Sequence, residues 1–61
     1  MKVEVIKDGE VIQKYNQSVE ALVPSKHDTI TVDGQEHVIT ARKIDTAIEK
    51  QRGHHSVQLF V

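Results

Sequence analysis

Apolar and polar residues alternate along most of this chain with a period of two, and turn-forming residues interrupt the alternation. Two of the interruptions are the same dipeptide, Asp8-Gly9 and Asp33-Gly34, each set between β-branched runs. Asp-Gly is a strong hairpin signal because glycine takes positive φ without steric cost and aspartate tolerates it. With Arg52-Gly53 as a third candidate turn, the pattern predicts consecutive antiparallel hairpins.

In the first hairpin Val3-Glu4-Val5-Ile6 leads out and Val11-Ile12-Gln13-Lys14-Tyr15 returns. A two-residue loop would pair Ile6 with Val11 and Val5 with Ile12. A three-residue loop, with Gly9 in a bulge, would pair Val5 with Val11 and gather Met1, Val3, Val5, Val11 and Tyr15 on one face. The second register collects more apolar residues on one side and is the expectation. Between Asn16 and Asp28 the alternation weakens. Residues 18 to 23 fit either one helical turn capped by Ser18 or a short irregular strand. Pro24 ends either form, and residues 24 to 28 read as a loop.

The second hairpin runs from Thr29-Ile30-Thr31-Val32 through Asp33-Gly34 to His37-Val38-Ile39-Thr40-Ala41. A two-residue loop sets Ile30 opposite His37 and places Ile30, Val32, His37, Ile39 and Ala41 on one face. Beyond Ala41 the phase changes, and Ile44 and Ile48 become the apolar positions. One extra residue near Arg42-Lys43, a bulge bending a long strand, would produce that change. A turn at Arg52-Gly53 would then set Ile48 opposite Val57, Thr46 opposite Leu59 and Ile44 opposite Val61. A helix over residues 44 to 52 is the second-ranked reading.

These elements predict a single all-β domain over residues 1–61. Its five or six short strands would follow antiparallel meander order and form a small SH3-like barrel or a strongly bent sheet. Composition narrows what such a domain can be. At 61 residues, apolar burial barely offsets chain entropy, so disulfides, metal or association are the usual supplements. The chain has no cysteine, which excludes disulfides and thiolate zinc sites and leaves association, in the simplest case a homodimer. The core must come from aliphatics: Val3, Val5, Ile6, Val11, Ile12, Ile30, Val32, Ile39, Ile44, Ile48, Val57 and Leu59. Tyr15 and Phe60 are the only aromatics. A net charge of −1 argues against non-specific binding to nucleic acid or an anionic membrane. No apolar run approaches membrane-spanning length, and Met1-Lys2-Val3-Glu4-Val5 carries no signal-peptide pattern. The expected setting is soluble and cytoplasmic.

The stretch from Pro24 to Ile39 (Pro24-Ser25-Lys26-His27-Asp28-Thr29-Ile30-Thr31-Val32-Asp33-Gly34-Gln35-Glu36-His37-Val38-Ile39) resembles a pattern in small β-barrel proteins of bacteriophages and mobile elements. There it reads approximately Pro, two variable residues, Gly-Asp, a β-branched strand, an Asx-Gly turn, then an aromatic followed by Val. The resemblance covers about a quarter of the chain. His27 stands where Gly is usual and His37 where Tyr or Phe is usual. What the resemblance implies is an origin and a fold more than an activity.

Candidate chemistry is sparse. Four histidines are present, His27, His37, His54 and His55, but adjacent His54 and His55 point to opposite faces of a strand, and nothing shows compact metal-ligand spacing. Ser18, Ser25 and Ser56 with His27-Asp28 lack a nucleophile elbow and any volume for a pocket. Phosphate-loop and dinucleotide motifs are absent. No cofactor and no enzymatic activity are expected. Arg42, Lys43, Lys50 and Arg52, with His54 and His55, would gather at the end of the last hairpin. That end could contact nucleic acid, although Asp45 and Glu49 interrupt it and stacking aromatics are lacking. The last strand, Ser56-Val57-Gln58-Leu59-Phe60-Val61, either pairs internally or offers its edge to a partner. Phe60 falls on the face opposite Leu59 and Val61 and is a candidate anchor. The leading expectation is a protein-binding module of phage or mobile-element type that engages a host or viral protein through Phe60, Tyr15, Arg52 and His54. The alternative is a nucleic-acid-binding barrel that uses Arg42, Lys43, Lys50 and Arg52.

Overall fold

A computed structural model describes residues 1–47 and 54–61. The strands are β1 (Lys2–Lys7), β2 (Glu10–Asn16), β3 (Thr29–Val32), β4 (Gln35–Val38), β5 (Ala41–Ala47) and β6 (His54–Phe60), with one 3-10 turn at Glu20–Leu22. They form a four-stranded sheet in the order β2-β1-β6-β5 and a two-stranded sheet, β3-β4. The protein is therefore all-β, as the alternation predicts. Of the two architectures the sequence allows, a closed barrel is not formed among the described residues. The hairpins β1–β2, β3–β4 and β5–β6 are antiparallel. Among the described residues, however, β2 does not pair with β3 nor β4 with β5, and β1 and β6 pair in parallel, which an antiparallel meander does not anticipate. The hydrophobic core joins the two sheets: Val3, Val5, Val57 and Leu59 of the large sheet meet Val32, Ile39 and Val23. Each fully buried aliphatic contributes roughly 1.5–3 kcal/mol.

Both Asp-Gly turns have positive φ at their two central residues, 53° and 81° at Asp8-Gly9 and 52° and 80° at Asp33-Gly34. That is the type I′ conformation, whose twist suits a hairpin. At the second turn the expected register holds, with Ile30 opposite His37 and Val32 opposite Gln35. The first turn corrects the expectation of a three-residue loop. Lys7 pairs with Glu10 and Ile6 with Val11, and the register then shifts so that Val5 meets Gln13 and Val3 meets Tyr15. Ile12 is thus the extra residue of a bulge displaced into β2, and it packs on the core. Val11, expected inside, is 45% exposed.

The phase change after Ala41 has another cause than a bulge at Arg42-Lys43. The β5–β6 ladder runs from Ala41↔Phe60 to Ala47↔His54 without a shift. The chain instead changes sheets between Ile39 and Thr40. Ile39 accepts from His27 N–H at 2.8 Å and donates to the Asp28 carbonyl at 2.9 Å, extending the small sheet. The next residue donates to the Phe60 carbonyl of the large sheet, from Thr40 N–H at 2.7 Å and from its hydroxyl at 3.0 Å. The last register is corrected as well: Ile44 lies opposite Val57, not Val61, and Thr46 opposite His55, not Leu59. The displacement is four residues, an even number, so the expected faces survive. The Arg52-Gly53 turn, with Ile48, falls outside the described residues.

The uncertain segment forms the 3-10 turn, with Leu22 N–H donating to the Val19 carbonyl at 3.0 Å. The side chain that supports its start is Gln17 rather than Ser18: Gln17 Oε1 accepts from Val19 N–H at 3.1 Å. This turn delivers Val23 to the core at 3% exposure, a residue the alternation did not single out. No helix among the described residues is long and apolar enough to cross a membrane.

Candidate protein-binding face

The parallel β1–β6 ladder determines which residues share the outer face of the large sheet. Val3 pairs with Val57 and Val5 with Leu59, and all four are fully buried. Alternation then turns Glu4, Gln58, Ile6 and Phe60 to the opposite side. Ile6 pairs with Phe60, Phe60 with Ala41 and Ile6 with Val11. The outcome is an apolar row, Val11, Ile6, Phe60 and Ala41, that crosses all four strands on the side away from the core. Val11 and Ala41 at its ends are exposed, and Ile6 and Phe60 between them are half-buried. The next row down is polar: Lys14 beside Glu4, Glu4 beside Gln58 and Gln58 beside Lys43. Both lysines are exposed.

Phe60 thus stands where the alternation of the last strand predicts, and β6 has both edges paired, to β1 and to β5. The C-terminal strand offers no edge to a partner. Tyr15 does not join Phe60. It lies opposite Val3, packs against the core, and burial pushes its hydroxyl pKa above the ordinary value near 10. The two aromatics therefore serve opposite faces of one sheet.

No family model, curated protein or solved structure matches this chain.

The basic residues proposed for nucleic acid divide in the same way. Arg42 is half-buried with its Nε shielded from solvent, beside Ala21, Val23 and Ser25 in an open groove of about 390 Å³. Lys43 is exposed on the other face of β5. Lys50 and Arg52 lie outside the described residues, and His54 is described only as the first residue of β6.

The histidine and serine candidates have structural surroundings. His27 is exposed and adopts φ of 80° as the third residue of a turn closed by Asp28 N–H donating to the Ser25 carbonyl at 3.0 Å. Positive φ there is the type II signature and favours glycine. The Asp28 carboxylate accepts from Ser25 N–H at 2.9 Å, so it holds the turn. His37 is half-buried opposite Ile30. Among the described residues no three His, Cys, Asp or Glu side chains gather as metal ligands do.

The outer apolar row is the part of this surface that residue-by-residue reading misses. Ile6 and Val11 look like core residues in the sequence. Their placement beside Phe60 depends on the bulge at Ile12 and on β1 pairing in parallel with β6, neither of which has a local sequence signal.

Proposed function

We propose that this chain is a small, non-enzymatic protein-binding module that docks a protein partner on the outer face of its large sheet, with Phe60 as the anchor. The observation that carries the reading is the apolar row Val11, Ile6, Phe60 and Ala41, which crosses four strands on a face turned away from the core. An aromatic at the centre of an apolar strip, edged by polar residues, is the arrangement that concentrates binding energy at protein interfaces. Lys14, exposed in the polar row beside the apolar one, suits a partner with an acidic side chain at its rim. The resemblance of residues 24 to 39 to phage and mobile-element barrels supports a host or viral protein as that partner.

The test is capture of a partner from the native host by the tagged chain, compared with Phe60→Ser and Ile6→Ser. Each substitution should reduce the captured partner about tenfold or more while the circular dichroism spectrum stays unchanged. Tyr15→Phe, on the other face, should leave capture intact. Undiminished capture by Phe60→Ser overturns the reading. So does tight, salt-sensitive binding to nucleic acid that Phe60→Ser leaves unaffected.

A further inference from the structure

The large sheet ends in two edge strands, β2 and β5. A free edge presents unpaired N–H and C=O groups and tends to find another strand unless it is protected. The two edges differ. In β2 the ladder is broken by the bulge at Ile12, and a bulged edge twists away from an incoming strand. In β5 the ladder runs unbroken over all its residues, so its outward side is a regular template. Among the described residues β5 pairs only with β6.

We infer that two copies of this chain associate edge to edge through β5, antiparallel and centred on Ile44. The strand reads Ala41-Arg42-Lys43-Ile44-Asp45-Thr46-Ala47. A two-fold axis at Ile44 sets Ile44 against itself, Lys43 opposite the partner's Asp45, Arg42 opposite the partner's Thr46 and Ala41 opposite the partner's Ala47. Symmetry makes the Lys–Asp pairing occur twice. Moving the axis one residue either way sets Lys43 against itself or Asp45 against itself, and like charges directly opposite are destabilising. The strand is therefore complementary to itself in one register. A lone lysine on an edge normally guards against pairing; here the acid two residues on answers it.

Ile44 supplies the second observation. Its ladder partner Val57 is completely buried, yet Ile44 is 48% exposed. An apolar side chain on the core-facing side of an edge strand is left half uncovered, and the partner's Ile44 would cover it. The assembly is a continuous eight-stranded sheet with the order β2-β1-β6-β5 repeated in reverse. The two-fold runs perpendicular to the sheet, so both outer apolar rows face the same way and the dimer is bivalent. The inference rests on the edge and stands whether or not the outer row binds anything.

The test is sedimentation of the full chain across concentration, with the fold of each variant checked by circular dichroism. The wild type should dimerise. Lys43→Asp and Asp45→Lys should each raise the dimer dissociation constant about tenfold or more, because each sets like charges opposite one another twice. The double exchange K43D/D45K restores opposite charges and should return the constant to within about threefold of wild type. Because the chain has no cysteine, Ile44→Cys gives a direct reading of register. Opposed strand residues lie about 5 Å apart at Cβ, close to disulfide distance, so I44C should cross-link to itself under mild oxidation while V11C does not. Phe60→Ser should leave the dimer intact, which separates this outcome from failure of the outer-face reading. A chain that stays monomeric at every concentration overturns the inference. So do single exchanges that dimerise like wild type, a folded double exchange that remains monomeric, or V11C cross-linking as readily as I44C.

Discussion

At Asp8-Gly9 and Asp33-Gly34 the backbone follows nearly the same path, with φ of 53° and 81° in one turn and 52° and 80° in the other. The hairpins that leave those turns do not match. The second keeps a regular ladder through all four of its pairs. The first holds register for two pairs and then accommodates an extra residue at Ile12. The second hairpin has only β3 and β4 in its sheet, so its turn sets the register without competition. In the first, β1 must also pair with β6 and put Val3 and Val5 into the core, and β2 adjusts around it. A tight turn determines the pairs next to it, and packing determines the rest.

The sharpest way to break this comparison is to delete one residue from each hairpin. Removing His37 shifts β4 and turns Ile39, fully buried now, out of the core. The expected loss is about 2–5 kcal/mol, a large share of the roughly 3–9 kcal/mol a chain this size holds. Removing Ile12 only straightens β2, since Val5 still meets Gln13 and Val3 still meets Tyr15. It should cost about 1 kcal/mol of partial burial. Urea denaturation of both variants decides the matter, and equal losses would mean that the bulge is as constrained as the regular ladder.

Glycine substitutions sharpen the likeness of the turns. A Cβ at Gly9 or Gly34 meets nothing within 4 Å, so Gly→Ala costs only the backbone penalty of positive φ, about 1–2 kcal/mol at each site. The two losses should agree within about 0.5 kcal/mol; a larger gap would show that the turns carry different loads. The companion change is His27→Gly, which removes the left-handed penalty at φ of 80° and adds glycine's chain entropy. A net gain of about 0.5 kcal/mol in thermal stability is expected.

The smallest effect is one of pH. Burial raises the Tyr15 pKa above its ordinary value, so the folded state holds its proton more tightly than the unfolded chain. That contribution is complete below about pH 10 and is lost as pH rises through the folded pKa. Tyr15→Phe should flatten the alkaline decline in stability. With one tyrosine and no tryptophan in the chain, absorbance titration of the phenolate reads Tyr15 alone. A midpoint at or below about 10 would contradict the packing of Tyr15 against the core.

The position of Phe60 was legible because alternation within one strand is local: Leu59 inward requires Phe60 outward. The row beside it was not. Ile6 and Val11 reach that face only because β1 lies against β6 in parallel and β2 is bulged, and both depend on contacts between segments distant in sequence. Arg42 and Lys43 are adjacent in the sequence and read there as one basic patch. A regular strand separates them, one beside Val23 and one on the open face.

What the sequence by itself determined was the local chemistry: a turn at each Asp-Gly, strand character from β-branched alternation, and the inward phase of β1, β3 and β6. These rest on φ preferences and on a side-chain period of two, which neighbouring residues dictate. Only the tertiary structure decided which strands meet. The parallel closure of β1 on β6, the change of sheet between Ile39 and Thr40, and the burial of Val23 by an irregular turn follow from filling one small core from both sheets. That requirement acts on the whole chain at once and leaves no mark on any short segment.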